Sequence, residues 1–173
     1  MGKILGSWSG MRKFLEQDML AESLQNRIQY HCTRYRNVDD HFKMFEIRVD
    51  GQTVKRFSYE TVNTYFIEND IKTVNDNMSG KMAYWSGFLP WLDATPVTDR
   101  AEYTDDEFCD ALCTYRQQDI QTSIHSPNPI VRMFAVLDRR IGKRTLSDVQ
   151  LHIDEQPAWL QMFYRLRIEA EAL

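Results

Sequence analysis

Apolar positions recur at two periods along this chain, and each change of period marks a new element. From Ser9 to about Gln25, Met11, Phe14, Leu15, Met19 and Leu24 fall every three to four positions, which predicts an amphipathic helix. Ile28 to Arg36 is rich in β-branched and aromatic residues and predicts a strand, with a turn over Asn37-Val38-Asp39-Asp40. The period then becomes two. Phe45, Ile47 and Val49 alternate with Met44, Glu46 and Arg48, Asp50-Gly51 supplies a tight turn, and Thr53, Lys55, Phe57 and Tyr59 alternate on the return. Ser58 then caps a helix carrying Val62, Tyr65, Phe66 and Asn69 on one face, with Ile67, Ile71 and Val74 beside it.

The segment 78–97 holds two Trp, two Gly and two Pro and reads as an irregular connection anchored by Tyr84, Trp85, Phe88 and Trp91. A second reading makes these rings a ligand platform. Beyond it the pattern is helical. Thr104-Asp105-Asp106-Glu107 is a capping box, followed by the core face Phe108, Leu112 and Tyr115. Asn128-Pro129 opens another helix, with the stripe Ile130, Met133, Phe134, Leu137, Ile141 and a stop at Gly142. Ser147 to Gln150 offers a weaker capping box, and a last helix starts near Pro157 with Trp159, Met162, Phe163, Leu166 and Ala170 inward. The helices after Pro129 and Pro157 resemble each other, and the first also resembles the Pro-x-Val-Arg core of HEAT-type repeats, but two copies are too few for a solenoid. The expected fold is therefore α+β. An N-terminal helix, a three-stranded antiparallel sheet and a helix precede a mostly helical C-terminal half, in one domain (1–173) with a loose subdivision near 90–103.

Composition narrows the class. Of 173 residues, 43% are apolar and 27% charged, with only seven Gly and five Pro, which excludes disordered and collagen-like chains. Three Cys, an odd number, argue for a reducing compartment. No apolar run approaches the roughly 20 residues that span a bilayer, and the N-terminus lacks a signal-peptide core. A cytoplasmic protein that binds no membrane is expected. The net charge of −4 is uneven: +3 over residues 1–58, −8 over 59–126 and +1 over 127–173.

No catalytic signature is present: no G-x-S-x-G, H-E-x-x-H, G-x-G-x-x-G or complete phosphate loop, for Gly142-Lys143-Arg144-Thr145 is only an echo of the last. Cys109 and Cys113 have a spacing for two metal ligands, but zinc needs two more, such as His125 or His152, and buried thiols are the expected reading. His31 and Cys32 are neighbours on a strand and point to opposite faces, against a Cys–His pair. Capping accounts for Asp105, Asp106 and Glu107, beside which Asp110 completes no calcium loop. No cofactor or metal is implied. The remaining candidate site is the basic group Arg132, Arg139, Arg140, Lys143 and Arg144. If one helix ran far enough, Arg132, Arg139 and Lys143 would lie within about 40° of each other. The alternative is a solvated face, or one paired with the acidic middle of the chain.

The run Leu137-Asp138-Arg139-Arg140-Ile141-Gly142-Lys143-Arg144 and the ending Phe163-Tyr164-Arg165-Leu166-Arg167-Ile168-Glu169-Ala170-Glu171 resemble a family of small uncharacterised bacterial cytosolic proteins. Thr33-Arg34-Tyr35-Arg36 and Val49-Asp50-Gly51 fit the same family. The resemblance implies bacterial origin and a cytosolic location, and no activity or catalytic residue. Three functions follow as expectations. The first is a non-catalytic protein-binding or regulatory module, an immunity-type inhibitor being one form. The second is nucleic-acid binding through the basic stripe or through Arg34, Arg36, Arg48 and Arg56, with steep salt dependence. The third is an enzyme assembled from His31, Cys32, Cys109, Cys113, His125 and His152.

Overall fold

The structure is a computed structural model that describes residues 6–34, 43–71 and 80–173, with side chains from residue 85 onward in the last stretch. The expected turn at 37–40, Val74 and the Tyr84 side chain lie outside the described residues. The fold is α+β, as the pattern predicts.

The predicted first helix is shorter than its periodicity implies. Helix α1 (Trp8–Lys13), capped by Ser7, widens into a π-wound turn over Phe14–Met19 and stops there. Leu20 is extended because it pairs with a distant segment: Ala21 N–H donates to the Leu137 carbonyl and Arg139 N–H to that of Met19, each at 2.9 Å. Two backbone bonds to a partner 118 positions away thus override a local helical preference.

Strands β1 (Ile28–Arg34), β2 (Lys43–Val49) and β3 (Gln52–Phe57) form an antiparallel sheet in the order β1-β2-β3. Asp50 and Gly51 both have positive φ (50° and 84°), the two-residue turn that Asp-Gly predicts. Ile28, Tyr30, Phe45, Ile47 and Phe57 face the core, while Gln29, His31, Glu46, Arg48 and Arg56 face out. A bulge between Ile47 and Arg48 shifts the register of β3.

Helix α2 (Tyr59–Glu68) begins at the Ser58–Thr61 capping box. The expected irregular connection is corrected: residues Gly80–Ala94 form a helix, α3, with Pro90 inside it. Trp85, Phe88, Trp91 and Leu92 lie three to four apart, so packing against α2 outweighs the proline. Val62, Phe66 and Phe88 form a small apolar cluster of their own, with Phe66 and Trp91 rings 4.2 Å apart. Of the rings proposed as a ligand platform, Trp85, Phe88 and Trp91 are thus packed into the contact between α2 and α3.

Helix α4 (Asp105–Gln117) starts at the Thr104–Glu107 box and lays Phe108 on the sheet, 4.7 Å from Phe45 and 4.9 Å from Phe57. After the short α5 (Ile120–Ile124), α6 (Pro129–Leu137) runs through the middle of the core, every residue buried except Arg132. It ends at Leu137, not near Gly142: Asp138 leaves the helix, and Gly142 caps the next one, α7 (Lys143–Gln150). The weak capping box at Ser147–Gln150 is corrected accordingly, since it lies inside α7. Helix α8 (Ala158–Ala170) follows Pro157, as predicted, and packs on α6.

Candidate functional site

The end of α6 at Leu137 separates the five basic candidates. Arg132 stays on α6, Arg139 and Arg140 sit in the junction, and Lys143 and Arg144 open α7, so no single helix carries a basic stripe. Three of the five are held in place by structural bonds. Arg132 donates to the carbonyls of Ser126 (2.6 Å) and Pro127 (3.0 Å) and to Gln156 (2.9 Å), tying the start of α6 to the segment before α8. Arg140 grips Asp138, whose side chain is only 2% exposed and also accepts from the Tyr115 hydroxyl and the Arg140 N–H. Lys143 donates to the Glu171 carbonyl at the end of α8, where the helix dipole favours a cation. Arg139 and Arg144 are exposed and, among the described residues, make no side-chain hydrogen bond or ion pair. The LDRRxGKR run is thereby read as a junction: a core leucine, a buried acceptor, its guanidinium partner, a buried isoleucine and a helix start.

The thiols and imidazoles do not assemble. Cys109 on α4 belongs to the main core and Cys32 on β1 packs against it, and burial raises both thiols, Cys109 to about 12, which keeps them protonated and poor nucleophiles. His125 and His152 share a shallow cleft of about 380 Å³ with Arg132 and Tyr164, away from any cysteine, and His152 is occupied by Glu155 at 3.0 Å. Among the described residues, no three His, Cys, Asp or Glu side chains converge as a metal site, and no helix is long and apolar enough to cross a membrane.

What stands out is the difference between the two sheet edges. At β1, the Glu16 carboxylate accepts from the Tyr30 N–H at 2.7 Å and blunts the edge from the N-terminal segment. At β3, the strand pairs with β2 on one side only, and a groove of about 640 Å³ runs beside it, lined by Met44 of β2, Thr53 to Arg56 of β3 and the facing side of α2. The groove closes at one end, where Ser58 N–H donates to the Tyr103 carbonyl (3.0 Å) and Lys55 Nζ to the Ala101 carbonyl (2.7 Å). Along the rest of β3 no backbone partner covers that edge among the described residues. Val49 and Gln52 flank a two-residue turn and are hydrogen-bonded to each other, so by strand alternation Thr53 turns its N–H and C=O outward, toward the groove.

The floor of the groove is neutralised from within. Lys55 is buried among the rings of Phe57, Tyr103 and Trp159 (5.2–5.8 Å) and pairs with Glu102 at 2.8 Å. Burial lowers its pKa, against the pull of Glu102. Arg56 pairs with Glu46, whose carboxyl it holds below its ordinary range. On the α2 wall, Glu60 and Glu68 are exposed and make no ion pair among the described residues. Alternation along β3 announced the strand, but only the β1-β2-β3 order makes it an edge, and only tertiary packing stands α2 beside it.

No curated protein and no solved structure matches this chain. One family model does, over residues 7–168, from the cap of α1 to the last turn of α8. The chain belongs to the SF0329 protein family.

Proposed function

We propose that this is a non-catalytic protein-binding module that captures an extended segment of a partner by strand addition, in the groove between β3 and α2. The observation that carries the reading is the asymmetry of the sheet: Glu16 meets the Tyr30 N–H on one edge, whereas the other borders a groove between β3 and α2. An uncovered edge is a template for another chain, and native proteins ordinarily blunt it. The six residues of β3 span roughly 20 Å, enough for an ordinary strand contact. Burial holds the Cys32 and Cys109 thiols protonated, which favours binding over thiol catalysis. The free cysteines and the LDRRxGKR resemblance favour a bacterial cytosolic setting.

Selection from a random nonapeptide display library tests the reading, followed by amide chemical-shift mapping of an enriched peptide on the intact protein. Shifts should centre on Thr53, Val54, Arg56 and Thr64. Enrichment should be lost in Thr53→Pro, which removes an outward N–H, and in Thr64→Trp, which fills the groove from the α2 side. Shifts elsewhere, or equal enrichment by both variants, would overturn it.

A further inference from the structure

We infer that the segment taken up by this groove is basic, with Lys or Arg at positions i and i+4 of an extended strand. The inference rests on the groove reading above and deepens it. The two cations on the floor already have acidic partners, Lys55 in Glu102 and Arg56 in Glu46, which also serves Arg48 outside the groove. The unmatched charge is therefore the negative charge of Glu60 and Glu68 on the α2 wall, within a stretch of chain whose net charge is −8.

Spacing sharpens this. Eight residues of helix place Glu60 and Glu68 about 12 Å apart along α2. An extended chain advances about 3.3 Å per residue, so two side chains four apart lie about 13 Å apart and, by the period of two, on the same face. Three or five residues would put the second cation on the opposite face. Thr64, midway between the two glutamates, faces the position between the cations and leaves room for an uncharged side chain. A second copy of this chain is the poorer occupant, since pairing β3 with its twin would bring one acidic α2 wall toward the other. Charge complementarity of this kind selects partners and is weakened by salt.

Labelled synthetic peptides distinguish the outcomes. The probe Thr-Lys-Thr-Val-Thr-Lys-Thr should bind the intact protein, more weakly as salt rises. The spacing variant Thr-Lys-Thr-Val-Lys-Thr-Thr should bind about tenfold less, and the Glu-for-Lys peptide not at all. The double variant Glu60→Lys/Glu68→Lys, at exposed positions that do not threaten folding, should reverse the preference and take the Glu peptide. If the library yields groove-binding peptides without this charge pattern, or the three probes bind alike, the basic-segment inference fails and the groove reading stands. If neither probes nor library peptides bind at β3, both fail. A concentration-dependent dimer that is lost in Thr53→Pro would overturn the inference in favour of a second copy.

Discussion

Asp105 is a carboxylate that the fold buries at a cost. It opens α4, and one of its oxygens has no hydrogen-bond partner. Burial first, and Asp106 beside it second, raise its pKa to about 6. A folded-state pKa above the unfolded value means that the folded form holds its proton more tightly. The stability this confers is present in full below about pH 4 and is lost as pH rises through 6. Asp105→Asn should therefore flatten urea stability across that window and gain on the order of 2–3 kcal/mol at pH 7. A variant less stable than the parent at pH 7 would show that the charge is compensated. Asp138 is the opposite case, a buried carboxylate fully engaged by Tyr115, Arg140 and a backbone N–H. Asp138→Ala should cost about 3–5 kcal/mol in the same assay, and Arg140→Ala less, because half of that guanidinium faces water. Nothing in the spacing of Leu137-Asp138-Arg139-Arg140 distinguishes these roles. Four adjacent residues take a core, an acceptor, a solvent and a pairing position only because the chain turns there.

At the scale of elements, local chemistry was legible wherever a cap or turn residue fixed the geometry. Ser58, Thr104 and Asn128 each accept a backbone N–H at the helix start their sequence announces. Gly51 holds φ of +84° with open space where a Cβ would stand, so Gly51→Ala should cost about 1 kcal/mol through the backbone alone. Elements set by packing were not legible. Composition spoke against a helix at α3, yet its aromatic residues interlock with α2. That pair has its own small cluster, so Phe88→Ala should speed amide hydrogen exchange in α2 while α6, buried in the main core, stays protected. Uniform loss of protection would show a single cooperative unit. Periodicity carried the first helix on to Gln25 and the α6 stripe on to Ile141. Both overshoot at the same place, because the chain ends of the two elements pair there through Leu20 and Asp138.

For the molecule as a whole, the distribution of cations decides between binding modes. Arg132 and Arg140 are engaged internally and Lys143 caps the end of α8, which leaves Arg139 and Arg144 on a chain of net charge −4. Two free cations at this junction supply little counterion release there. Labelled duplex DNA and RNA should therefore give flat anisotropy titrations even at low ionic strength. Salt-sensitive binding abolished by Arg139→Ala/Lys143→Ala/Arg144→Ala would reverse this ranking and return the α6–α7 junction to first place.

The sequence by itself determined the α+β class, the hairpin at Asp50-Gly51, the helix starts and most of the core, because caps, turns and periodicity are properties of neighbouring residues. It also determined that no familiar catalytic motif is present and that the middle of the chain is acidic. Tertiary structure alone decided where helices stop, which charges are spent internally and which sheet edge stays open. Glu16 reaches Tyr30 from 14 residues away, and Glu102 reaches Lys55 from 47 away. Such contacts are chosen by packing geometry, which no local period encodes. The groove between β3 and α2 exists only at that level: each wall is an ordinary element, and the space between them is fixed by how the sheet and the helix are held together.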